Sequence, residues 1–189
     1  MILAELTLPI DPDTAWRHLR EPDLIRRWFG WDYEGLGHEI DVIFLQEVSV
    51  DDRGRTLDFG DGIEDGDRFE LTDLGVETGL RVIRGPAGPG YDEIAEGWIT
   101  FAQQLRFALA HPDAGDRRTV HLTGGSPGAA ERALALGGEP WYRTEHQAGV
   151  LADGGLLCVW EKPEAATASM TFTSFGAPPD EARWRGWWR

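Results

Sequence analysis

Apolar and polar positions change their period several times along the chain. "ILAELTLP" alternates as a strand does, and Asp11 followed by Pro12 supplies an N-cap and a first-turn proline for a helix that carries Ala15, Trp16 and Leu19 inward. Glu21-Pro22-Asp23 restarts a short second helix with Leu24, Ile25 and Trp28 on its apolar side, and Gly30 ends it. From Gly35 the period becomes two. In "EIDVIFLQEVSV" Ile40, Val42, Phe44 and Val48 share one face and Asp41 and Glu47 the other, which predicts a strand. Three more strands follow: "RTLDFG" with Leu57 and Phe59, "DRFELTDL" with Phe69 and Leu71, and "TGLRVIR" with Leu80 and Val82. The pattern is an antiparallel meander with one apolar and one wet face. After the break "GPAGPG", residues 91–110 read as one long helix whose stripe is Ile94, Trp98, Phe101, Leu105 and Leu109.

Past His111 the order starts again on a smaller scale. It runs through a strand "RRTVHLT", a helix from Ser126-Pro127 to Leu136, three strands "PWYRTEHQ", "GLLCVWE" and "SMTFTSF", and a last helix ending "EARWRGWWR". Two domains are expected, 1–110 and 111–189, the second packed on the first. It is either a shorter copy of the same unit or an extension covering an open sheet edge. Trp184, Trp187 and Trp188 fall on one side of the last helix, so they are expected to dock on a sheet, around Val159 and Phe172 or on the first domain.

Composition narrows the function classes. The formal charge of −15 is concentrated in residues 32–93, where 17 acidic side chains face 5 basic ones, a net of −12. Such a segment repels a phosphate backbone, which argues against nucleic-acid binding. No apolar run reaches the length of a membrane span, and the opening "MILAELTLPID" lacks the basic region of a signal peptide, so a cytoplasmic protein with no membrane partner is expected. Cys158, the single cysteine, sits in an apolar run and is expected to be a buried, inert thiol.

The motifs that suggest chemistry fail on inspection. Gly124-Gly125-Ser126-Pro127-Gly128 matches a nucleophile elbow, but Pro127 has no N–H to donate to an oxyanion. Ser126 reads instead as a helix N-cap with Pro127 at the first helical position. Asp58-Phe59-Gly60 is a chance tripeptide without its kinase companions. The run "DGIEDGD", residues 61–67, departs from a calcium loop at Ile63 and Thr72, and reads as a hairpin turn with solvated carboxylates. His18, His38, His111, His121 and His146 show no metal-ligand spacing. No catalytic residue, metal or cofactor is assigned.

Two stretches carry a family resemblance. "IDPDTAWRHLREPDLIRRWFGWD" and "GWITFAQQLRFAL" resemble the opening and the long helix of START-like (SRPBCC) proteins, in the branch similar to the activator of the ninety-kilodalton heat-shock-protein ATPase. The resemblance spans about residues 1–110. It implies an α+β helix-grip fold, in which a curved antiparallel sheet wraps a long helix and encloses a cavity for a hydrophobic ligand. On that fold Trp28, Phe29 and Trp31 would gate the cavity. Val42, Phe44, Phe59, Phe69 and Leu80 would line it from the sheet, and Trp98, Phe101 and Leu105 from the helix. The expected function is non-catalytic binding of a small apolar or aromatic molecule. The alternatives are a cyclase- or dehydratase-like enzyme using the same cavity, and a module that contacts a chaperone or another protein.

Overall fold

The computed structural model describes residues 1–60, 66–86, 90–112 and 114–189, so the run at 61–65 and part of "GPAGPG" lie outside the described residues. The chain divides into two compact units, Met1–Pro112 and Asp113–Arg189.

The first unit opens with β1, Ile2–Leu8, and α1, Pro12–Arg20. Asp11 caps α1 as its position demands, accepting from the amides of Asp13 and Thr14 at 3.1 and 3.0 Å. A short α2, Pro22–Ile25, turns into a loop in which Gly30 takes a left-handed φ of +60°. The segment read as a strand around residues 39–46 is helical. α3 spans Leu36–Asp41 and runs on as a π-helical turn over Val42–Gln46. The reason is visible in the burial. Leu36, Ile40 and Phe44 are fully buried at a spacing of four, whereas Val42 and Ile43 are only half-buried and Leu45 is exposed. Only the end of the stretch is extended, as β2, Val48–Asp51.

The meander then forms as β3, Thr56–Phe59, β4, Asp67–Asp73, and β5, Thr78–Ile83. The antiparallel sheet runs β1-β5-β4-β3-β2, so the first strand lies beside the last. Its inner face is apolar, and its outer face carries charge pairs such as Arg68 with Asp58 and Arg81 with Glu5. The long helix α4, Glu93–Leu109, starts at Asp92, whose side chain accepts from the amides of Ile94 and Ala95. Its first apolar residue was misplaced by the sequence pattern: Ile94 points outward and is 57% exposed, while Trp98, Leu105 and Leu109 are buried.

The second unit repeats this order: β6, Arg117–Gly125; α5, Ala129–Leu134; β7, Glu139–Arg143; β8, Gln147–Ala152; β9, Gly155–Lys162; β10, Thr167–Phe175; and α6, Glu181–Trp188. "PWYRTEHQ" is therefore not one strand. It ends β7, turns at residues 144–146 and begins β8, where small residues pack closely. The sheet order β6-β10-β9-β8-β7 has the connectivity of the first sheet. Both units are thus α+β helix-grip units, the second with a helix about half as long.

The start of α5 also differs from expectation. Its N-cap is Gly128, in a left-handed conformation, and Ser126 lies outside the helix, exposed, with its Oγ accepting from Arg132 Nη1 at 3.1 Å. The Ala130 amide is met instead by Glu161 Oε1 from β9 at 3.1 Å, so a remote carboxylate does what a local serine was expected to do.

Candidate functional site

In the first unit a cluster of the protein's own rings lies between α4 and the sheet among the described residues. Phe29 meets Phe44 at 4.9 Å and Phe101 at 4.7 Å between centroids. Phe59 meets Phe44 at 5.3 Å, Phe69 at 5.2 Å and Trp98 at 4.9 Å. Trp28 joins through Phe44 at 5.5 Å, and its indole N–H donates to the His18 carbonyl at 2.9 Å. Most of these pairs are edge-to-face, the arrangement favoured by ring quadrupoles in a packed interior. The structure therefore brings together Trp28, Phe29, Phe44, Phe59, Phe69, Trp98 and Phe101. Leu80 and Leu105 are also buried. Val42 is half-buried on the π-helical turn, and half-buried Trp31 lies beside Tyr33 at 6.2 Å.

The sequence reading missed a polar cluster at one end of this core. Asp67, read as a solvated carboxylate, is 7% exposed. It accepts from Arg84 Nη1 at 2.7 and 2.8 Å, from the Gly85 amide at 3.2 Å and from the Trp98 indole at 2.7 Å. Arg84 also donates through Nε to Asp92 at 2.8 Å. The hydrogen bond from Arg84 to Asp67 raises the guanidinium pKa further. Burial pushes the Asp92 carboxyl up, but Arg84 and the helix amides outweigh it and hold the group below its ordinary value. Every member has a partner. The cluster fixes the start of α4 to β4. Only the spacing of Asp67 from the hydrophobic Phe69 and Leu71 on one strand face could have signalled its burial.

The second unit is built differently. Its core is aliphatic, with Val120, Leu122, Val150, Leu157, Val159 and Met170 under the alanines of α5, and Phe172, Trp184 and Trp188 at one end. Trp184 stacks on Phe172 at 4.4 Å, and Trp188 donates to the Thr123 carbonyl at 3.0 Å, so the tail tryptophans dock on their own sheet. Gly155 makes room for the Phe172 ring: a Cβ there would run into that ring and into the Thr173 carbonyl.

Beside the stacked rings a groove of about 530 Å³ opens between α6, the end of β10 and the β8–β9 turn. Ala177, Pro178 and Pro179 form its far wall. Asp153 and Gly154 make a two-residue hairpin turn with φ of +52° and +75°, which sets Asp153 at the rim. There it pairs with Arg183 at 2.7 Å, and Arg183 lies 5.6 Å over the Trp184 ring. Asp180 caps α6 by accepting from the Arg183 amide at 3.0 Å. Ser174, next in the inner-facing row after Phe172, lines the groove; its buried Oγ has no hydrogen-bond partner among the described residues. The volume falls in the range of small-molecule sites.

Elsewhere the candidates stay structural. Burial pushes the Cys158 thiol up to about 12, which suppresses its thiolate. Burial pushes His121 down to about 4, with Nδ1 at 3.0 Å from Thr171 Oγ1. Among the described residues no group of three or more potential ligands could hold a metal ion, and no helix is long and apolar enough to cross a membrane.

No family model and no curated protein matches the chain. Two crystal structures are similar in outline. DynU16, described as a protein in the dynemicin biosynthetic locus, has 18% identity and a TM-score of 0.42, covering 92% of this chain and 85% of that one. The di-domain ARO/CYC BexL, from the BE-7585A biosynthetic pathway, has 13% identity and a TM-score of 0.36, covering 97% and 91%. Neither likeness bears on which residues act.

Proposed function

We propose that the protein binds a small apolar, aromatic molecule in the groove of its second unit, between α6 and the end of β10, without transforming it. The observation that carries this is the contrast between the two helix–sheet spaces. The first is occupied by seven mutually packed rings, and the second leaves about 530 Å³ open beside Phe172 and Trp184. The START-like resemblance of the first unit supports a ligand-holding role of this kind. In this proposal the first unit's rings are scaffold, and the ligand walls belong to its topological counterpart.

A cyclase- or dehydratase-like reaction would use the same groove and would need an acid or base beside the ligand. The rim carboxylates serve other ends, Asp153 in its pair with Arg183 and Asp180 in capping α6, which favours binding alone.

The test is fluorescence titration with N-phenyl-1-naphthylamine, a neutral probe that brightens in apolar surroundings. Wild type is expected to bind it with one saturable site. Ala177→Trp, which fills the groove from an exposed position, is expected to abolish the signal with an unchanged melting curve. Unaltered binding by Ala177→Trp contradicts the proposal.

A further inference from the structure

Resting on the groove reading above, we infer that the groove selects an uncharged aromatic molecule carrying one hydroxyl or carbonyl group, and that Ser174 is the residue that reads this group.

Register places Ser174 on the inner face of β10, in the row of Ala168, Met170 and Phe172, where every other member is apolar. It is 6% exposed, and its Oγ is buried without a hydrogen-bond partner among the described residues. Such a group is at a disadvantage in the folded protein unless something arrives to meet it, and a retained orphan hydroxyl at a groove points to an arriving partner. The side chain has one rotatable bond, and its hydroxyl both donates and accepts, so it suits a neutral hydroxyl or carbonyl equally.

Charge at the rim disfavours the obvious rival, an anion bound by Arg183. That guanidinium is held by Asp153, and a second carboxylate, Asp180, accepts from the Arg183 backbone amide at the start of the same helix. A ligand carboxylate would have to displace Asp153 and then face both acids, in a chain whose formal charge is −15. A ligand cation finds no free carboxylate, since both are engaged. The remaining lining is apolar: Ala177, Pro178 and Pro179 with the edges of the buried Phe172 and Trp184 rings. It suits a flat ring with no charge.

The experiment compares naphthalene, 2-naphthol and 2-naphthoate as probes, by calorimetry at neutral pH on the full chain and on Ser174→Ala. Wild type is expected to bind 2-naphthol about fivefold more tightly than naphthalene, one hydrogen bond's worth, and 2-naphthoate most weakly. Ser174→Ala is expected to erase the preference for 2-naphthol while leaving naphthalene binding intact. Equal binding of naphthol and naphthalene by wild type overturns the assignment to Ser174 and leaves the groove standing. So does a preference that survives in Ser174→Ala, or a tighter grip on 2-naphthoate. Failure of all three probes to bind, or binding that Ala177→Trp does not affect, overturns the groove itself.

Discussion

The two units share one strand connectivity and differ in what lies between helix and sheet. In the first, Phe29, Phe44, Phe59, Phe69 and Trp98 pack on one another, and buried Asp67 with half-buried Arg84 and Asp92 ties the helix start to β4. In the second, Ala129, Ala133, Val150, Val159 and Ala168 fill the middle with smaller side chains, and the rings sit at one end beside an open groove. In the first unit large rings from the loop after α2, the π-helical turn after α3, the sheet and α4 meet one another. The same strand connectivity with small residues and a shorter helix leaves room at its end in the second. The proposal rests on side-chain volume rather than on the fold, which both units share.

The sharpest way to break the comparison is to empty the first core. Trp98→Ala removes the ring shared by Phe59, Phe69 and Phe101 and one of the donors to buried Asp67. It is expected to cost about 3 to 5 kcal/mol in chemical denaturation. A variant with an unchanged midpoint would show that these rings do not form a packed core.

A pH test comes next, because His121 belongs to the second unit. Burial holds its folded pKa at about 4, below the ordinary imidazole value of 6.5, so the fold favours the neutral ring. The associated stability is fully present above pH 6.5 and is lost as pH falls toward 4, by about 3 kcal/mol. Denaturation midpoints of wild type and His121→Gln, measured from pH 7 to 4, should converge as the pH drops. Parallel curves would contradict the burial of His121 as a neutral ring.

Gly155→Ala sharpens the contrast from the other side. The added methyl group must push Phe172, which is expected to cost about 1 to 3 kcal/mol and to weaken N-phenyl-1-naphthylamine binding by disturbing the Phe172–Trp184 stack. Unchanged probe affinity would separate the groove from that stack. The smallest effect belongs to Ser126→Ala. With Gly128 as the cap and Ser126 exposed, stability is expected to stay within about 0.5 kcal/mol, measured by thermal unfolding.

Much of the architecture was legible because it rests on local rules. Asp11-Pro12 started its helix, the strands of the first meander alternated, and Trp184 and Trp188 docked on Phe172 and β6 because such rings cannot be left in water. The errors share a cause. "EIDVIFLQ" satisfies a period of two and, through Leu36, Ile40 and Phe44, a period of four, and only tertiary packing chose between them. Ser126 lost its capping role to Glu161, thirty-five positions away in sequence, and Asp67 found Arg84 after β5 and Trp98 on α4. Of the eleven ring and aliphatic positions named from the sequence eight are buried and Trp31, Val42 and Phe101 half-buried, but sequence carries no measure of how tightly rings from separate elements close on one another. The groove was illegible for the same reason: it depends on the turn at Asp153-Gly154 meeting the start of α6, two segments nearly thirty residues apart.

The contrast between a ring-packed first unit and a grooved second one can be read in a single spectrum. With the nine tryptophans replaced by 5-fluorotryptophan and their ¹⁹F resonances assigned by single Trp→Phe variants, N-phenyl-1-naphthylamine is titrated into the full chain. The Trp184 resonance is expected to shift with saturation, while those of Trp28 and Trp98 stay fixed. A shift of Trp28 and Trp98 with Trp184 unmoved would place the ligand between α4 and the first sheet and contradict the account.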